Sequence, residues 1–487
     1  MALWQNIPFF CIIACLFGAA VCSMTKSGRG WSRAVVAATL AAHLVLLACF
    51  LLGDRASYTF MMGHFPAPWG NEIRVGALEI ALGTLFALVM LCSLGAAGPK
   101  SRLIPDEKIR LMHTAALLLM AALFAQVYSN DLFTCYVFLE IMTLTACALI
   151  IARGTGNALA AGTRYMVLNL VGSGLFLFGL VILYTLTGHL LMENLRESVQ
   201  ALMAGGTYHR ALVLSAAMMT VGLCVKSALF PFHAWVPDAY SAGLPESDAI
   251  LSSLVSKGYI VLVMKLYIRV LGADILPETK LNHLLFVCAA AGIIFGSLEA
   301  VRSGTFFRMI AWSSVCQIGY IYLGISMGQA AGYEAAVYHL MVHAVSKSLL
   351  FLSGEYLRGN SDRVADLRGS ARSNPYAGVC WTVAAFSMVG LPFTGGMISK
   401  VLLGNAAMSH SAPVAIAAIA VLVVSTLLNI LYFLRTVIRI WSPGAHEKTE
   451  MGISAKIACG TLALMIVAAF FGAGKLVEIL IFGLEQF

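Results

Sequence analysis

Four lysines and one glutamate lie in the middle of long apolar runs of this sequence. They are Lys226 in Leu212–Phe230, Lys257 in Ala249–Val270, Lys347 in Ala336–Leu357, Lys400 in Trp381–Leu403 and Glu140 in Leu132–Ile151. A lysine at the centre of a bilayer costs about 2.5–3.5 kcal/mol on insertion scales. Five such groups indicate a function, and the chemistry open to them is the transfer of protons or cations through hydrocarbon.

Glu140 and Lys226 fall at similar depth on different predicted helices. If the two side chains face each other, the carboxylate stabilises the charged ammonium, and moving the carboxylate away favours release of the proton. This arrangement is a proton switch. The alternative is a permanent buried ion pair that holds two helices together, but a static pair does not account for the other three lysines.

His339, His343 and Lys347 are spaced at i, i+4 and i+8. This spacing aligns the three groups on one helix face, about 6 Å apart per step. Neutral imidazole both donates and accepts hydrogen bonds, so the face suits a proton relay. Structural hydrogen bonding is one alternative, and a haem or metal site is another, although the sequence offers no further ligand for either group.

Polar neighbours accompany the remaining charged groups. Three serines stand within the five residues before Lys257, and Ser399 with a glycine pair precedes Lys400, which favours hydrated backbone at both lysines.

Two further basic residues, Lys265 and Arg269, fall toward the end of their helix. We expect their side chains to snorkel to the interface.

The loop after the seventh apolar run carries His233 and Asp238, a possible proton entrance. Glu246 and Asp248 follow in the same loop. The alternative interpretation is that all four are ordinary solvated loop residues.

Composition determines the class of fold that must position these groups. The chain has 487 residues, 60% of them hydrophobic and 11% charged, with a mean hydropathy of +0.87. A soluble domain carries about 25% charged residues. Apolar runs long enough to cross ~30 Å of hydrocarbon recur throughout and predict an all-α polytopic membrane protein of about fourteen spans. We place the spans near 6–24, 34–52, 75–95, 111–128, 132–151, 165–186, 211–230, 249–270, 281–301, 307–327, 336–357, 376–403, 414–440 and 453–471.

Proline interrupts two of these spans, at Phe230-Pro231 and at Gly390-Leu391-Pro392. Paired broken helices are typical of inverted repeats that enclose an ion pathway. We therefore divide the chain into an N-terminal three-helix segment, two inverted five-helix repeats and a C-terminal helix. These units cover residues 1–110, 111–270, 271–440 and 441–487.

The charged loops predict an orientation. Of the 31 lysines and arginines, about nineteen fall on one side of the predicted spans and about eight on the other. The positive-inside rule makes the richer side cytoplasmic and places both termini on the outer side. The net charge of +8 is therefore a topology signal that requires no nucleic-acid partner.

Several runs resemble one family: the antiporter-like subunits of respiratory complex I, of Mrp Na⁺/H⁺ antiporters and of membrane-bound [NiFe]-hydrogenases. The similar runs are Asp131–Glu140, Lys226–Tyr240, Ile310–Gly319, His339–Phe351 and Gly390–Lys400. The resemblance spans about residues 110–405. The sequence departs from the family pattern at residues 243–249 and 305–308, which concern the entrance and the contacts between halves.

The resemblance implies fourteen helices with two inverted halves, each containing a broken helix. It assigns Glu140 as the switching carboxylate, Lys226 as its partner and Lys257 as the central relay. His339, His343 and Lys347 match the relay of the eleventh helix, and Lys400 matches the exit lysine of the twelfth.

The family's activity gives three functional hypotheses. The first is a proton-translocating subunit of a multisubunit redox complex in a prokaryotic inner membrane. Iron–sulfur, flavin or NiFe centres are then expected only on partner subunits, with no cofactor in this chain. The second is a subunit of an Mrp-type Na⁺/H⁺ antiporter not coupled to redox, and the third is a mainly structural subunit. Whether H⁺ or Na⁺ moves, and which electron donor and acceptor are used, stays open.

Overall fold

The computed structural model describes residues 3–62, 65, 70–206, 208–272 and 275–487, and most of them are helical. Within this part, thirteen helices are long and apolar enough to cross a membrane. A shorter apolar helix at Pro375–Val389, continued after a break by Gly395–Met408, completes the predicted fourteen spans. The all-α multi-pass membrane fold is confirmed.

The α-helices in chain order are α1 (Ile7–Met24), α2 (Arg29–Leu52), α3 (Ala77–Gly95), α4 (Asp106–Tyr128), α5 (Leu132–Ile151), α6 (Gly156–Thr187), α7 (Met192–Ala204), α8 (His209–Ser227), α9 (Val236–Ala242), α10 (Pro245–Ile250), α11 (Ser256–Lys265), α12 (Ile275–Glu278), α13 (Leu281–Arg302), α14 (Phe306–Ser326), α15 (Ala330–Arg358), α16 (Ser370–Ser373), α17 (Pro375–Val389), α18 (Gly395–Met408), α19 (Ala412–Trp441), α20 (Ile453–Phe471) and α21 (Ala473–Gln486). Short 3₁₀ turns lie at Leu3–Asn6, Lys100–Leu103, Phe232–Trp235 and Val364–Leu367, and π turns lie at Leu251–Val255 and Leu266–Leu271. Two short strands, β1 (Tyr58–Met61) and β2 (Glu72–Val75), pair antiparallel outside the spans.

The helices that carry the central lysines lie inside the bundle. The most apolar 18-residue window of Pro245–Leu271 is 100% buried, and those of α14 and α15 are 94% buried, whereas that of α19 is only 22% buried. A helix buried on all sides can hold polar groups that meet other polar groups rather than lipid. The outer helices therefore shield the inner line of charges from the hydrocarbon.

The basic loops gather at one end of the bundle, which we call the basic face. It is formed by residues 25–33, 96–110, 152–164, 302–308, 358–374 and 442–456. Arg29 donates a hydrogen bond to the Ser101 carbonyl at 3.0 Å, and the Gly98 amide donates to Glu246 at 2.7 Å. These contacts join loops that the charge pattern predicted to share one side of the membrane.

The seventh span breaks where proline predicted it. Helix α8 ends at Ser227, and Ala228 takes a left-handed conformation with φ of 66°. A helix end leaves carbonyls without intrahelical partners, which in a membrane must be satisfied by other groups. The Trp235 indole meets this need by donating to the Val225 carbonyl at 3.3 Å.

The twelfth span also breaks as predicted, between α17 and α18. Gly390 has a φ of 86°, a conformation that favours glycine. A Cβ atom on Gly396 would lie 1.7 Å from the Ser387 carbonyl oxygen, so only glycine allows the two half-helices to approach this closely. Two broken helices are therefore present, while the division of the chain into inverted halves stays a prediction.

Candidate functional site

The predicted pairing of Glu140 and Lys226 is present. Lys226 Nζ on α8 lies 3.4 Å from Glu140 Oε1 on α5 and donates a hydrogen bond to Thr143 Oγ1 at 2.7 Å. The lysine is fully buried, whereas the carboxylate side chain is 25% exposed. The ammonium also lies 5.6 Å from the centre of the Tyr259 ring. A fixed lysine thus faces a carboxylate that lies nearer the surface of the bundle.

Lys257 is held by the backbone turn that precedes it. Its Nζ donates to the Ser252 carbonyl at 2.5 Å and to Ser256 Oγ at 3.2 Å. Ser252 belongs to the π turn Leu251–Val255, and such turns are frequent at functional sites. The wider π turn directs a carbonyl toward a side chain five residues later, a feature that helical periodicity in the sequence did not predict.

Lys347 reaches the same region from α15. Its Nζ donates to the Ile310 carbonyl at 2.8 Å and to Ser313 Oγ. The neighbouring Ser314 shares a hydrogen bond with Ser252, with 3.0 Å between the two Oγ atoms. This serine pair on α14 connects the surroundings of Lys257 to those of Lys347.

Ser313 and Ser314 lie within the run Ile310–Gly319 that resembles the family, but the resemblance assigned them no role. A signal was available, because α14 has the lowest hydropathy of the thirteen spans in the described chain, 1.2. Low hydropathy in a span that is 94% buried indicates internal polar contacts.

The histidines on α15 lie along one face, as their spacing predicted. The rings of His339 and His343 are nearly parallel, with 6.0 Å between their centres. His339 Nδ1 shares a hydrogen bond with Ser399 Oγ at 3.0 Å, which joins this face to α18. The residue after that serine is Lys400, so the histidine face of α15 and the lysine of α18 are brought together, while their roles as relay and exit stay predictions.

Lys400 binds neutral acceptors. Its Nζ donates to the Val389 carbonyl at 2.7 Å and to Thr426 Oγ1 at 2.9 Å. It also lies 5.4 Å from the centre of the Tyr320 ring. In the described part of the chain, the carboxylate groups form no ion pair with this lysine.

The two residues of the possible entrance have different surroundings. His233 is 7% exposed and packs on aromatic rings, with 5.1 Å between its centre and that of Phe295. Asp238 on α9 forms ion pairs with Arg164 and with Arg308, the latter at 2.8 Å. A solvated-loop interpretation is therefore wrong for the histidine, and a role for either residue as an entrance stays a prediction.

Glu246 and Asp248 are buried, each with 1% exposure, so their interpretation as solvated loop residues is also wrong. The cause is α10, which begins at Pro245 and carries both side chains into the interior. The Gly98 amide donates to Glu246 and satisfies one of its oxygens. The polar composition of residues 245–248 is typical of a loop, so the sequence did not predict that these two carboxyl groups are buried.

The prediction that Lys265 and Arg269 snorkel is wrong. Lys265 is fully buried, and its Nζ donates to three carbonyls at and just after the end of α4, at 2.5–2.9 Å. Arg269 is 4% exposed and donates to Asn130 Oδ1 at 2.5 Å. Helix ends need donors for their last carbonyls, and this ammonium supplies them.

Metal ligands do not cluster in the described residues, which contain no group of three or more His, Cys, Asp or Glu side chains placed to hold an ion. The site is therefore a line of ammonium, imidazole, hydroxyl and carboxylate groups. Such a line can pass protons between neighbours. The expectation that redox centres belong to partner subunits stays a prediction.

Comparison with known proteins gives one family match and several relatives. The family described as NADH:quinone oxidoreductase/Mrp antiporter, TM, matches residues 129–428. NADH-quinone oxidoreductase subunit N of Desulforudis audaxviator is 35% identical over 412 residues, which cover 84% of this chain and 80% of the relative. Subunit N 2 of Syntrophobacter fumaroxidans is 28% identical and covers 92% of both chains.

Solved structures share the fold over nearly the whole length. A chain of the Mrp complex from Dietzia sp. has a TM-score of 0.87 at 21% identity, covering 100% of this chain and 98% of the other. A chain of the archaeal membrane-bound sulfane sulfur reductase has a TM-score of 0.87 at 23% identity, covering 99% and 97%. A chain of respiratory complex I from Thermus thermophilus has a TM-score of 0.74 at 22% identity, covering 96% and 100%.

Proposed function

Because this chain belongs to the NADH:quinone oxidoreductase/Mrp antiporter transmembrane family, we propose that it is the proton-translocating subunit of a multisubunit redox complex. The observation that carries the proposal is the line of groups from Glu140 to Lys400, whose ends are half-buried and whose intervening lysines and histidines are buried. Its partners are other membrane subunits, and any flavin, iron–sulfur or NiFe centre belongs to them. The chain itself supplies the proton path.

The first step is a change at the Glu140–Lys226 pair. At 3.4 Å the carboxylate stabilises the ammonium, which also has Thr143 as an acceptor. When the partly exposed carboxylate moves away or meets another cation, the buried ammonium loses this stabilisation and releases its proton. Redox chemistry in a neighbouring subunit supplies the change.

The central groups then relay the proton. Lys257 donates to the Ser252 carbonyl and the Ser256 hydroxyl. The Ser252 hydroxyl shares a hydrogen bond with Ser314, which adjoins the Ser313 hydroxyl that accepts from Lys347. Hydroxyl groups donate and accept at once, so they carry protons between ammonium groups together with water. The histidines of α15 continue the line toward α18, because His339 shares a hydrogen bond with Ser399 on α18.

The last step is the release of the proton from the Lys400 ammonium. This ammonium is stabilised only by the Val389 carbonyl, a hydroxyl and a ring face, with no counter-ion found among the described residues. A positive charge held by neutral acceptors is easier to discharge than one held by a carboxylate. This lysine therefore passes its proton toward the face opposite the basic face.

The basic face is the cytoplasmic side, and both termini lie on the outer side of a prokaryotic inner membrane. The charge excess at this face supports the orientation through the positive-inside rule. Protons then enter from the cytoplasm and leave outside.

The test is ion pumping by the whole complex in vesicles that carry Glu140→Gln, Lys226→Ala and Lys400→Ala together. The complex is expected to assemble and to lose proton pumping. The control is Lys475→Ala, which changes a lysine on the exposed side of α21. Unchanged pumping by the triple variant overturns the proposed path.

A second arm of the same experiment separates the redox-coupled subunit from an Mrp-type antiporter, a candidate suggested by the shared fold of the Dietzia chain. A pH gradient is imposed without electron donor, and Na⁺ is added. Dissipation that depends on Na⁺ supports the antiporter. Proton transfer that requires the electron donor supports the redox complex.

A further inference from the structure

A cavity on the basic face lies apart from the line of groups between Glu140 and Lys400, although Asp238, one of the two candidate entrance residues, lines it. It has a volume of about 500 Å³ and opens to the surface between α6, α9 and α14. Its lining includes Thr155, Asn157 and three arginines, Arg153, Arg164 and Arg308, together with the single carboxylate of Asp238. An open cavity with this much positive charge at a membrane surface requires an explanation.

The charges do not cancel. Arg164 and Arg308 both contact Asp238, the second at 2.8 Å, while Arg153 donates to the Ala242 carbonyl at 3.4 Å. The described side chains that line the cavity therefore carry three guanidinium groups against one carboxylate, an excess of two positive charges. Guanidinium groups bind phosphate oxygens through paired hydrogen bonds, so the excess selects an anion of the phosphate class.

The N-terminus of α6 adds to the positive electrostatic potential of the cavity. Thr155 caps this helix by accepting a hydrogen bond from the Ala158 amide at 3.3 Å. The positive end of the dipole of a 32-residue helix therefore faces the cavity that the arginines line.

An apolar face continues from this cavity into the membrane. On α6, after Arg164, the side chains of Val167, Leu170, Val171 and Phe178 are each 50–66% exposed. The first and last of these are separated by about 16 Å along the helix axis. That length corresponds to the hydrocarbon of one leaflet, about 15 Å. A free phosphate ion would not use this face, whereas the acyl chains of a phospholipid would.

We propose that this cavity binds the headgroup phosphate of an anionic phospholipid in the leaflet at the basic face, with its acyl chains along α6. Basic pockets between transmembrane helices are suited to such headgroups. The lipid joins α6, α9 and α14 at the point where α9 follows the first broken helix. Asp238 then serves to hold two arginines in place.

The experiment compares the full-length chain in its complex with the Arg164→Gln/Arg308→Gln variant. Native mass spectrometry counts phospholipids retained after detergent purification, and the thermal unfolding midpoint is measured with added phosphatidylglycerol, phosphatidylcholine or inorganic phosphate. We expect phosphatidylglycerol alone to raise the midpoint of the unchanged protein. The double variant is expected to lose this response and to retain severalfold less anionic lipid.

The matched control is Arg302→Gln. Arg302 is an exposed arginine that pairs with Glu299 on the same face and does not line the cavity. If the double variant fails to fold, Arg153→Gln replaces it, because Arg153 is not part of the ion pairs with Asp238.

Three outcomes overturn the proposal. If the double variant and the control retain equal amounts of anionic lipid, the cavity is not a lipid-binding site. An equal response to inorganic phosphate makes it a site for a free anion. Loss of a partner subunit from the double variant, with lipid retention unchanged, makes the surface a contact between proteins.

Discussion

The two broken helices each place a lysine beside the interruption, yet the two ammonium groups bind different partners. Lys226 meets the Glu140 carboxylate and a threonine hydroxyl, whereas Lys400 meets the Val389 carbonyl and a threonine hydroxyl. Both lie over a tyrosine ring, at 5.6 Å and 5.4 Å. Both sites thus have a threonine hydroxyl and a tyrosine ring, and they differ in whether a carboxylate or a backbone carbonyl completes them.

The two breaks also satisfy their helix ends differently. In the first, the Val225 carbonyl accepts hydrogen bonds from the Trp235 indole and the Ala228 amide, and the Lys226 ammonium lies against the Glu140 carboxylate. In the second, the Lys400 ammonium itself binds the final carbonyl of α17. One lysine beside a break therefore faces a partly exposed carboxylate, and the other has only neutral acceptors among the described residues, a difference that the proposed path assigns to its two ends.

The largest loss of proton pumping is expected from Lys400→Arg. Arginine keeps the positive charge but does not release its proton at physiological pH, so pumping should fall about tenfold or more. Proton uptake per electron transferred by the reconstituted complex measures the loss, with Lys475→Arg as the control. Full activity of the variant would show that this end of the path needs only a charge.

The next prediction compares the loss of pumping caused by a substitution at each of the two lysine sites. Glu140→Gln removes the counter-ion and is expected to lower pumping about tenfold, because in the proposed mechanism the carboxylate controls proton release from Lys226. Thr426→Val removes only a neutral acceptor of Lys400 and should lower pumping less than about threefold. Both rates are measured in the same vesicles, and equal losses would contradict the assignment of different roles to the two sites.

A smaller loss of pumping is expected from Ser399→Ala, which removes the hydrogen bond between His339 on α15 and α18. Water can replace a lost hydroxyl, so pumping should fall only about two- to threefold. Ser409→Ala is the matched control, because Ser409 lies at the exposed end of α18. A loss as large as that of Lys400→Arg would make the serine an essential carrier.

The smallest effect on pumping is expected at a buried lysine outside the path. Lys265→Met deletes the donor to three carbonyls at the end of α4, which should destabilise the chain by about 1.5–3 kcal/mol. Pumping per assembled complex should stay unchanged. Thermal unfolding and pumping are measured on the same preparation, and a selective loss of pumping would place this lysine in the path.

Much of this organisation could be predicted from the sequence because it depends on local patterns. Hydropathy located the spans, proline located the two breaks, and helical spacing placed His339, His343 and Lys347 on one face. Each of these signals lies within one helix, and a single helix has a fixed period. The resemblance to a family then ordered the charged groups.

Other features depended on contacts between distant segments and were mispredicted or missed. Lys265 was expected to snorkel but caps a helix more than a hundred residues earlier in the chain, with a separation of 139 residues to Gln126. Glu246 was expected in a solvated loop but is buried against Gly98. Composition and period say nothing about which helix end lies beside which side chain.

The sequence by itself determined that this chain crosses the membrane many times and that four lysines and a glutamate lie at the depth of the hydrocarbon. Only the tertiary structure decided which acceptors the ammonium groups of Lys226, Lys347 and Lys400 meet, whereas Lys257 binds acceptors within its own turn. Lys226 and Thr143 are 83 residues apart in the chain yet lie within hydrogen-bonding distance. The physical reason is that the cost of burying a charge is a property of one helix, whereas its compensation is supplied by side chains and carbonyls of neighbouring helices.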